Sequence, residues 1–275
     1  MLDKPSKSKG LFIGLLLAAY FFGTVIFGTK VALGPEDRLL EMTLLIPAFL
    51  LLALYVYILF GLLTMNYKST DGALVVSWAH KRYTIPWSKI TQIQKVTGRL
   101  NTISYLGVSW PGYMAGTYDL KGVGPTKIFA TDLQKLVVVN DGVFNYAFTP
   151  SEEFVAEIVQ RSEKELSTLD TYDIPDEIIG KIINEDIGYL GLFSINLICL
   201  SFLGIYMALF FPGSGADPMF LLLLVLAVAL LAFNMINASR IFHYMASGAY
   251  GIWLIGLTVN IVFLALAMKG IGFGQ

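Results

Sequence analysis

The stretch Leu136–Ile158, LVVVNDGVFNYAFTPSEEFVAEI, contains a strand, a tight turn, a second strand and the start of a helix. Lys135 to Val139 is a β-branched, apolar run, and Asn140-Asp141-Gly142 supplies residues that accept left-handed turn geometry. The run from Val143 to Phe148 is therefore expected to pair back on the first as a hairpin. Directly after it, Thr149 is expected to cap a helix, with Pro150 in the first helical position and Glu152 in the third. That spacing makes a capping box and places acid at the positive end of the helix dipole. The helix is expected to run to Leu166. Phe154, Val155, Ile158 and Val159 form its apolar stripe, while Glu153, Glu157, Arg161, Glu163 and Lys164 face water.

Toward the amino terminus the same pattern repeats. Asp71-Gly72 is a tight-turn signal before Ala73 to Ala79, where Leu74, Val76 and Trp78 alternate with their neighbours. Further strands are expected at Arg82 to Trp87, Ile90 to Val96, Tyr113 to Leu120 and Thr126 to Thr131, with a bend or end at Pro86. About seven short strands at this spacing predict an all-β antiparallel barrel or sandwich, and one helix after them fits as the plug of its open end. The predicted domain occupies residues 66–167.

Apolar runs flank this block. Hydrophobic residues make up 56% of the 275-residue chain and charged residues 14%, a balance shifted toward lipid. A hydrocarbon layer of about 30 Å needs about 20 apolar residues of helix. Five runs reach that length: Leu11 to Leu33, Met42 to Met65, Tyr189 to Phe211, Met219 to Asn237 and Tyr250 to Met268. The fold class expected is thus a five-helix membrane protein with an inserted β domain. Residues 1–65 form a tail and helical hairpin, residues 168–187 an acidic connector, and residues 188–275 three helices. The connector carries Ile174, Ile178, Ile179, Ile182 and Ile183 at near-helical spacing, which suggests an amphipathic segment beside the membrane or the domain. The first run exceeds a secretory signal in length and is followed by a second, so it is expected to stay uncleaved. Lys4, Lys7, Lys9, Lys68, Lys81, Arg82, Lys181 and Arg240 fall on one side of these spans, against Lys30, Arg38 and Lys269 on the other. The amino terminus and the β domain are therefore expected in the cytoplasm, with the short loops Gly34 to Glu41 and Pro212 to Pro218 and the carboxyl terminus outside.

Three of these segments resemble the bacterial pleckstrin-homology-like domains: RYTIPWSKITQI (82–93), WPGYMAGTYDL (110–120) leading into KIFATD (127–132), and the hairpin-to-helix stretch quoted above. The resemblance spans residues 66–165. It implies two near-orthogonal antiparallel sheets closed by a carboxy-terminal helix, beside membrane helices, and it implies no activity. Eukaryotic relatives bind phosphoinositides through a basic loop between the first two strands. This chain has the tight Asp71-Gly72 turn there, so that ligand is not implied.

Within the spans, as delimited, there is no Asp, Glu or Arg, which disfavours proton relays and charged-substrate paths. Asn196, Ser201, Asn234, Thr258 and Asn260 suit interhelical hydrogen bonds, a path for a neutral substrate being the other use. Gly23, Gly28, Gly204, Gly251 and Gly256 permit close helix approach without forming a GxxxG. The single cysteine, Cys199, has no partner for a disulfide, and His80 and His243 are too few and too separated for a zinc site. His80 reads as a surface side chain and His243 as an interfacial anchor.

No catalytic motif, metal site or cofactor is expected. A net charge of −1 excludes a strongly basic nucleic-acid binder. The candidate binding residues are Trp110, Tyr113 and Met114, on a loop from Leu106 to Gly116 that either docks a partner or folds back over the barrel, together with Lys81 and Arg82 in a block bearing nine Lys/Arg against four Asp/Glu. The function expected is a non-catalytic binding or scaffolding module for a protein or lipid partner, with the bilayer, another membrane subunit, a cytoplasmic protein or a second copy as partners. The other reading is an accessory subunit of a transporter or an antimicrobial-peptide resistance or immunity factor.

Overall fold

The computed structural model describes residues 1–35, 38–98, 100–210 and 218–272. They fall into two units, one of residues 1–16 and 54–180, the other of residues 17–53 and 181–275. The expected outer loop at Pro212 to Pro218 lies almost wholly outside the described residues.

Two sheets build the first unit. One is antiparallel, in the order β1 (Leu2–Asp3), β2 (Asn66–Ser69), β3 (Ala73–Trp78) and β4 (Lys81–Pro86). The other has seven strands, β5 (Gln92–Thr97), β6 (Thr102–Trp110), β7 (Tyr113–Leu120), β8 (Gly124–Ala130), β9 (Leu136–Asn140), β10 (Asn145–Phe148) and β11 (Leu166–Asp170), in the order β11-β5-β9-β10-β8-β7-β6. It is mixed, correcting the all-antiparallel expectation, because β10 runs parallel to β8 and β11 parallel to β5. A helix, α3 (Glu152–Ser162), buries Phe154, Val155 and Ile158 in the same core as Leu74, Val76, Ile85, Ile93 and Phe148.

The hairpin of β9 and β10 forms as its sequence demands. Asn140 Oδ1 accepts the Gly142 N–H, Asp141 Oδ1 accepts those of Val143 and Phe144, and Gly142 takes φ +85°. The second strand starts later than expected, at Asn145. The helix cap also moves. Ser151 accepts the Phe154 N–H at 3.3 Å, whereas Thr149 Oγ1 is engaged by the N–H groups of Thr131 and Asp132 and donates to Asp132 O. The helix stops at Ser162 because Glu163 adopts left-handed geometry (φ +55°), and the chain then enters β11.

The domain boundaries shift accordingly. The tail contributes β1, where Asp3 accepts the Ser151 N–H at 2.8 Å. The acidic connector contributes most of β11, a hydrogen bond from Thr171 Oγ1 to Thr97 O at 2.9 Å, and, in place of a continuous amphipathic helix, one short α-helix, α4 (Asp176–Ile179), between the 3-10 turns Thr171–Asp173 and Ile183–Glu185. Its backbone is held against the barrel, with Asn101 Nδ2 donating to Ile179 O at 2.7 Å. In the middle of the core, fully buried Tyr67 donates to Phe129 O at 2.8 Å and accepts the Thr149 N–H at 3.3 Å, which ties β2 to the ends of β8 and β10.

In the second unit, α5 (Ile187–Phe210), α6 (Pro218–Phe242) and α7 (Ala246–Gly272) pack with residues 17–32 of α1 (Ser8–Ala32) and 38–53 of α2 (Arg38–Thr64). All five helices are long and apolar enough to cross a membrane. Helix α6 runs past Asn237, so Arg240 belongs to its last turn, where a cation suits the helix dipole. Asp186 caps α5, accepting the Tyr189 N–H and the Tyr250 hydroxyl, each at 2.7 Å; these bonds hold its carboxyl below the usual range. Asn196 donates to Trp253 O at 3.0 Å and accepts from Asn260 at 3.3 Å, joining α5 to α7.

On α3, Glu157 accepts from Ser69 Oγ and Arg161 Nε at 2.7 and 2.8 Å and lies 3.8 Å from the Met1 ammonium. The Ser69 bond foremost, then Arg161 and that ammonium, hold its carboxyl below the ordinary value of 4.5. A depressed carboxylate stabilises the fold above its unfolded-state value and ceases to do so as pH falls through the folded one. Glu157→Gln should therefore lower the midpoint of thermal unfolding at neutral pH by about 2–4 °C, corresponding to about 1 kcal/mol after solvent screening. The gap between wild type and variant should close as the pH drops below 4.5.

Candidate functional site: two aromatic turns against the helix ends

The first unit includes the opening turns of α1 and the closing turns of α2, and two β-turns of the barrel lie against them. In the first, Trp78 pairs with Lys81, leaving Ala79-His80 as a two-residue loop with Ala79 at φ +50°. Helix α2 meets this loop along its last two turns. Thr64 Oγ1 accepts the Ala79 N–H at 3.0 Å, and the Tyr57 hydroxyl lies 2.7 Å from His80 Nδ1. Between them Gly61 leaves room for the indole of Trp78, since a Cβ there would stand 2.5 Å from Trp78 Nε1.

The second turn is Trp110-Pro111-Gly112-Tyr113, with Trp110 paired to Tyr113 and Gly112 at φ +87°. Trp110 Nε1 donates to Gly10 O at 2.8 Å, and its ring stacks on Tyr55 with centroids 5.8 Å apart. The Tyr55 hydroxyl donates to Gly14 O, also at 2.8 Å. Side chains at Gly10 or Gly14 would destroy this seat. A Cβ on Gly10 would run into the carbonyl of Gly112, and one on Gly14 would meet Leu59 at 2.7 Å and the Trp110 ring at 3.1 Å.

A polar relay connects the two turns. Trp78 Nε1 donates to Tyr113 Oη at 2.6 Å, and Tyr113 Oη donates to Ile58 O at 3.2 Å. Burial pushes the Tyr113 phenol well above its usual range, so it stays neutral and able to donate. Lys7 Nζ donates to Leu63 O at 2.6 Å, a cation on the carbonyl end of α2. Burial first, and Lys4 second, lower its affinity for a proton.

The five binding candidates therefore separate. Trp110 and Tyr113 come together, but as the contact between barrel and helices, with Tyr113 buried and Trp110 half-buried. Met114 points to the other face of β7 and is buried with Tyr118, Leu120 and Ile128. These three do not form a free docking loop, because β6 and β7 are paired through the segment expected to be irregular. Lys81 and Arg82 are exposed at the start of β4. Tyr55, Tyr57, Trp78, Gly10, Gly14 and Gly61 were not among the candidates. Gly10-x-x-x-Gly14 is a GxxxG, and it escapes a search confined to the spans because it straddles the start of the first one. Among the described residues no group of three His, Cys, Asp or Glu side chains is placed to hold a metal ion. The arrangement is suited to holding the barrel in one attitude on the helix ends.

Residues 65–162 match the family model of the bacterial PH domain, a range that runs from the end of α2 to the end of α3 and includes both turns. No curated protein and no solved structure matches the chain.

Gly10→Ala should force the Trp110 turn off α1, because the obstructing atom is backbone. Overpacking of this kind costs about 1–3 kcal/mol. The expected result is a lower unfolding midpoint together with faster chymotryptic cleavage at Trp110 and Tyr113. Gly23→Ala, where nothing lies within 4 Å, should leave both measurements unchanged.

Proposed function

We propose that the chain is a membrane-anchored, non-catalytic binding module for a protein partner. Its five apolar helices span the bilayer, with the amino terminus and the barrel on the cytoplasmic side and the carboxyl terminus on the other. The bacterial PH match supports a binding module. The observation that carries the reading is the double seat of the barrel. Two turns fixed in glycine notches give the module one orientation before any partner arrives, which lowers the entropy lost on binding. The lysine and arginine bias toward the barrel side supports the cytoplasmic placement.

With the Trp110 turn engaged, the apolar groups left at the surface of the barrel include Val143 and Phe144 at the tip of the β9–β10 hairpin, exposed by 77% and 48%. Affinity purification of the gently solubilised full chain should recover a stoichiometric partner that is lost on deletion of residues 66–165 and weakened by Val143→Ser with Phe144→Ser. Undiminished binding through the helices alone would contradict the module reading and favour an accessory subunit that works through its membrane helices.

A further inference from the structure

Helix α1 has 25 residues and α2 has 27, which at about 1.5 Å each gives lengths of about 38 and 40 Å. The hydrocarbon layer of a bilayer takes up about 30 Å, and its headgroup layers bring the total to about 40–45 Å. Each helix therefore has only a turn or two beyond the hydrocarbon. Those end turns are where the barrel is seated. The Trp110 turn touches α1 at Gly10 and Gly14, and the His80 turn reaches α2 at Tyr57, seven residues before its end at Thr64. A loop that reaches this far along helices of this length cannot stand clear of the lipid surface.

Several cations of the barrel are engaged within it, and what sets the three at these turns apart is their place beside the helix ends. Lys95 pairs with Glu152 at 2.8 Å, Lys121 with Asp119 at 3.2 Å and Arg161 with Glu157 at 2.8 Å, while Lys127 sits 4.0 Å over the Phe144 ring. Lys81 and Arg82, beside His80, and Lys9, whose stem lies against Gly112, are exposed and face no carboxylate among the described residues. The same two turns carry Trp78 and Trp110, which meet Tyr57 and Tyr55 of α2, and such aromatic side chains are usual at the level of headgroups.

We propose that the Ala79–Arg82 and Ser109–Tyr113 turns lie within the cytoplasmic headgroup layer and that Lys9, Lys81 and Arg82 bind the phosphates of anionic phospholipids. The guanidinium of Arg82 suits bidentate contact with a phosphate, and each cation at an anionic surface favours binding by about fivefold. This rests on the membrane placement proposed above and is independent of the protein partner.

Two measurements on the full chain with Cys199→Ser test it. A fluorophore on Ser109→Cys, in nanodiscs that contain phosphatidylcholine with a nitroxide on its headgroup, should be strongly quenched, and one on Val143→Cys should not. Equal quenching at both positions, or none at Ser109, overturns the placement of the turns. Titration with phosphatidylglycerol and with phosphatidylcholine, followed by native mass spectrometry in detergent, should show tighter binding of the anionic lipid. Lys81→Gln with Arg82→Gln should reduce that preference on the order of 25-fold. An unchanged preference overturns the lipid site, and competition by millimolar inorganic phosphate would identify a site for free phosphate in its place. Loss of either result with partner capture intact would remove this inference alone.

Discussion

The close approach of Gly10 on α1 to Gly112 in the β6–β7 turn is the contact on which the architecture of the first unit depends. Two backbones meet where neither has a side chain, and that permits Trp110 to reach the carbonyl of Gly10 and to stack on Tyr55. From there the order propagates. Tyr113 follows in the turn, meets Trp78 and bonds to Ile58, and Trp78 in turn occupies the notch at Gly61. Without the glycines the indoles would be large apolar groups at the rim of a barrel. With them, the ends of two apolar helices become part of the barrel core, and Leu62 and Met65 are as fully buried as Tyr67 and Phe148.

Much of this was legible in residues taken locally. The Asn140-Asp141-Gly142 turn, the apolar stripe of α3 and the five apolar runs all depend on short-range periodicity or turn chemistry, and each appears close to its expected place. What escaped depends on partners distant in sequence. β1 has two residues and acquires its order from β2, and β11 reads as part of an acidic connector because its pairing partner, β5, lies some seventy residues earlier. The cap of α3 shifted from Thr149 to Ser151 because the Thr149 hydroxyl bridges to Asp132 across the sheet, an interaction that no local motif announces. The site was half legible. Trp110 and Tyr113 were marked by their aromatic bulk among glycines, but which surface they meet is decided by Gly10, Gly14 and Gly61, whose information lies in what they lack.

The second unit uses a different adhesive. Asn196 and Asn260 join α5 to α7 in an apolar setting, and a Cβ on Gly256 would collide with the amide of Asn234 from α6. Buried amides of this kind specify register between helices that are otherwise uniformly apolar. Asn196, Asn260 and Ser201, whose hydroxyl lies 2.8 Å from that of Tyr20 on α1, thus act between helices of the chain itself, whereas Thr258 bonds back to Leu254 of its own helix. The two units reflect two ways of satisfying polar groups: strand pairing and turns in one, asparagine cross-links between helices in the other.

A barrel seated on helix ends differs from a barrel on a tether in one measurable respect. Spin labels at Phe12→Cys on α1 and Ser88→Cys on the barrel, both exposed positions, in full-length protein with Cys199→Ser and reconstituted in lipid, report the distance between helix end and barrel. A single narrow distance distribution is the result expected of the glycine-notched seat. A broad or multimodal distribution, unchanged by Gly10→Ala, would contradict it.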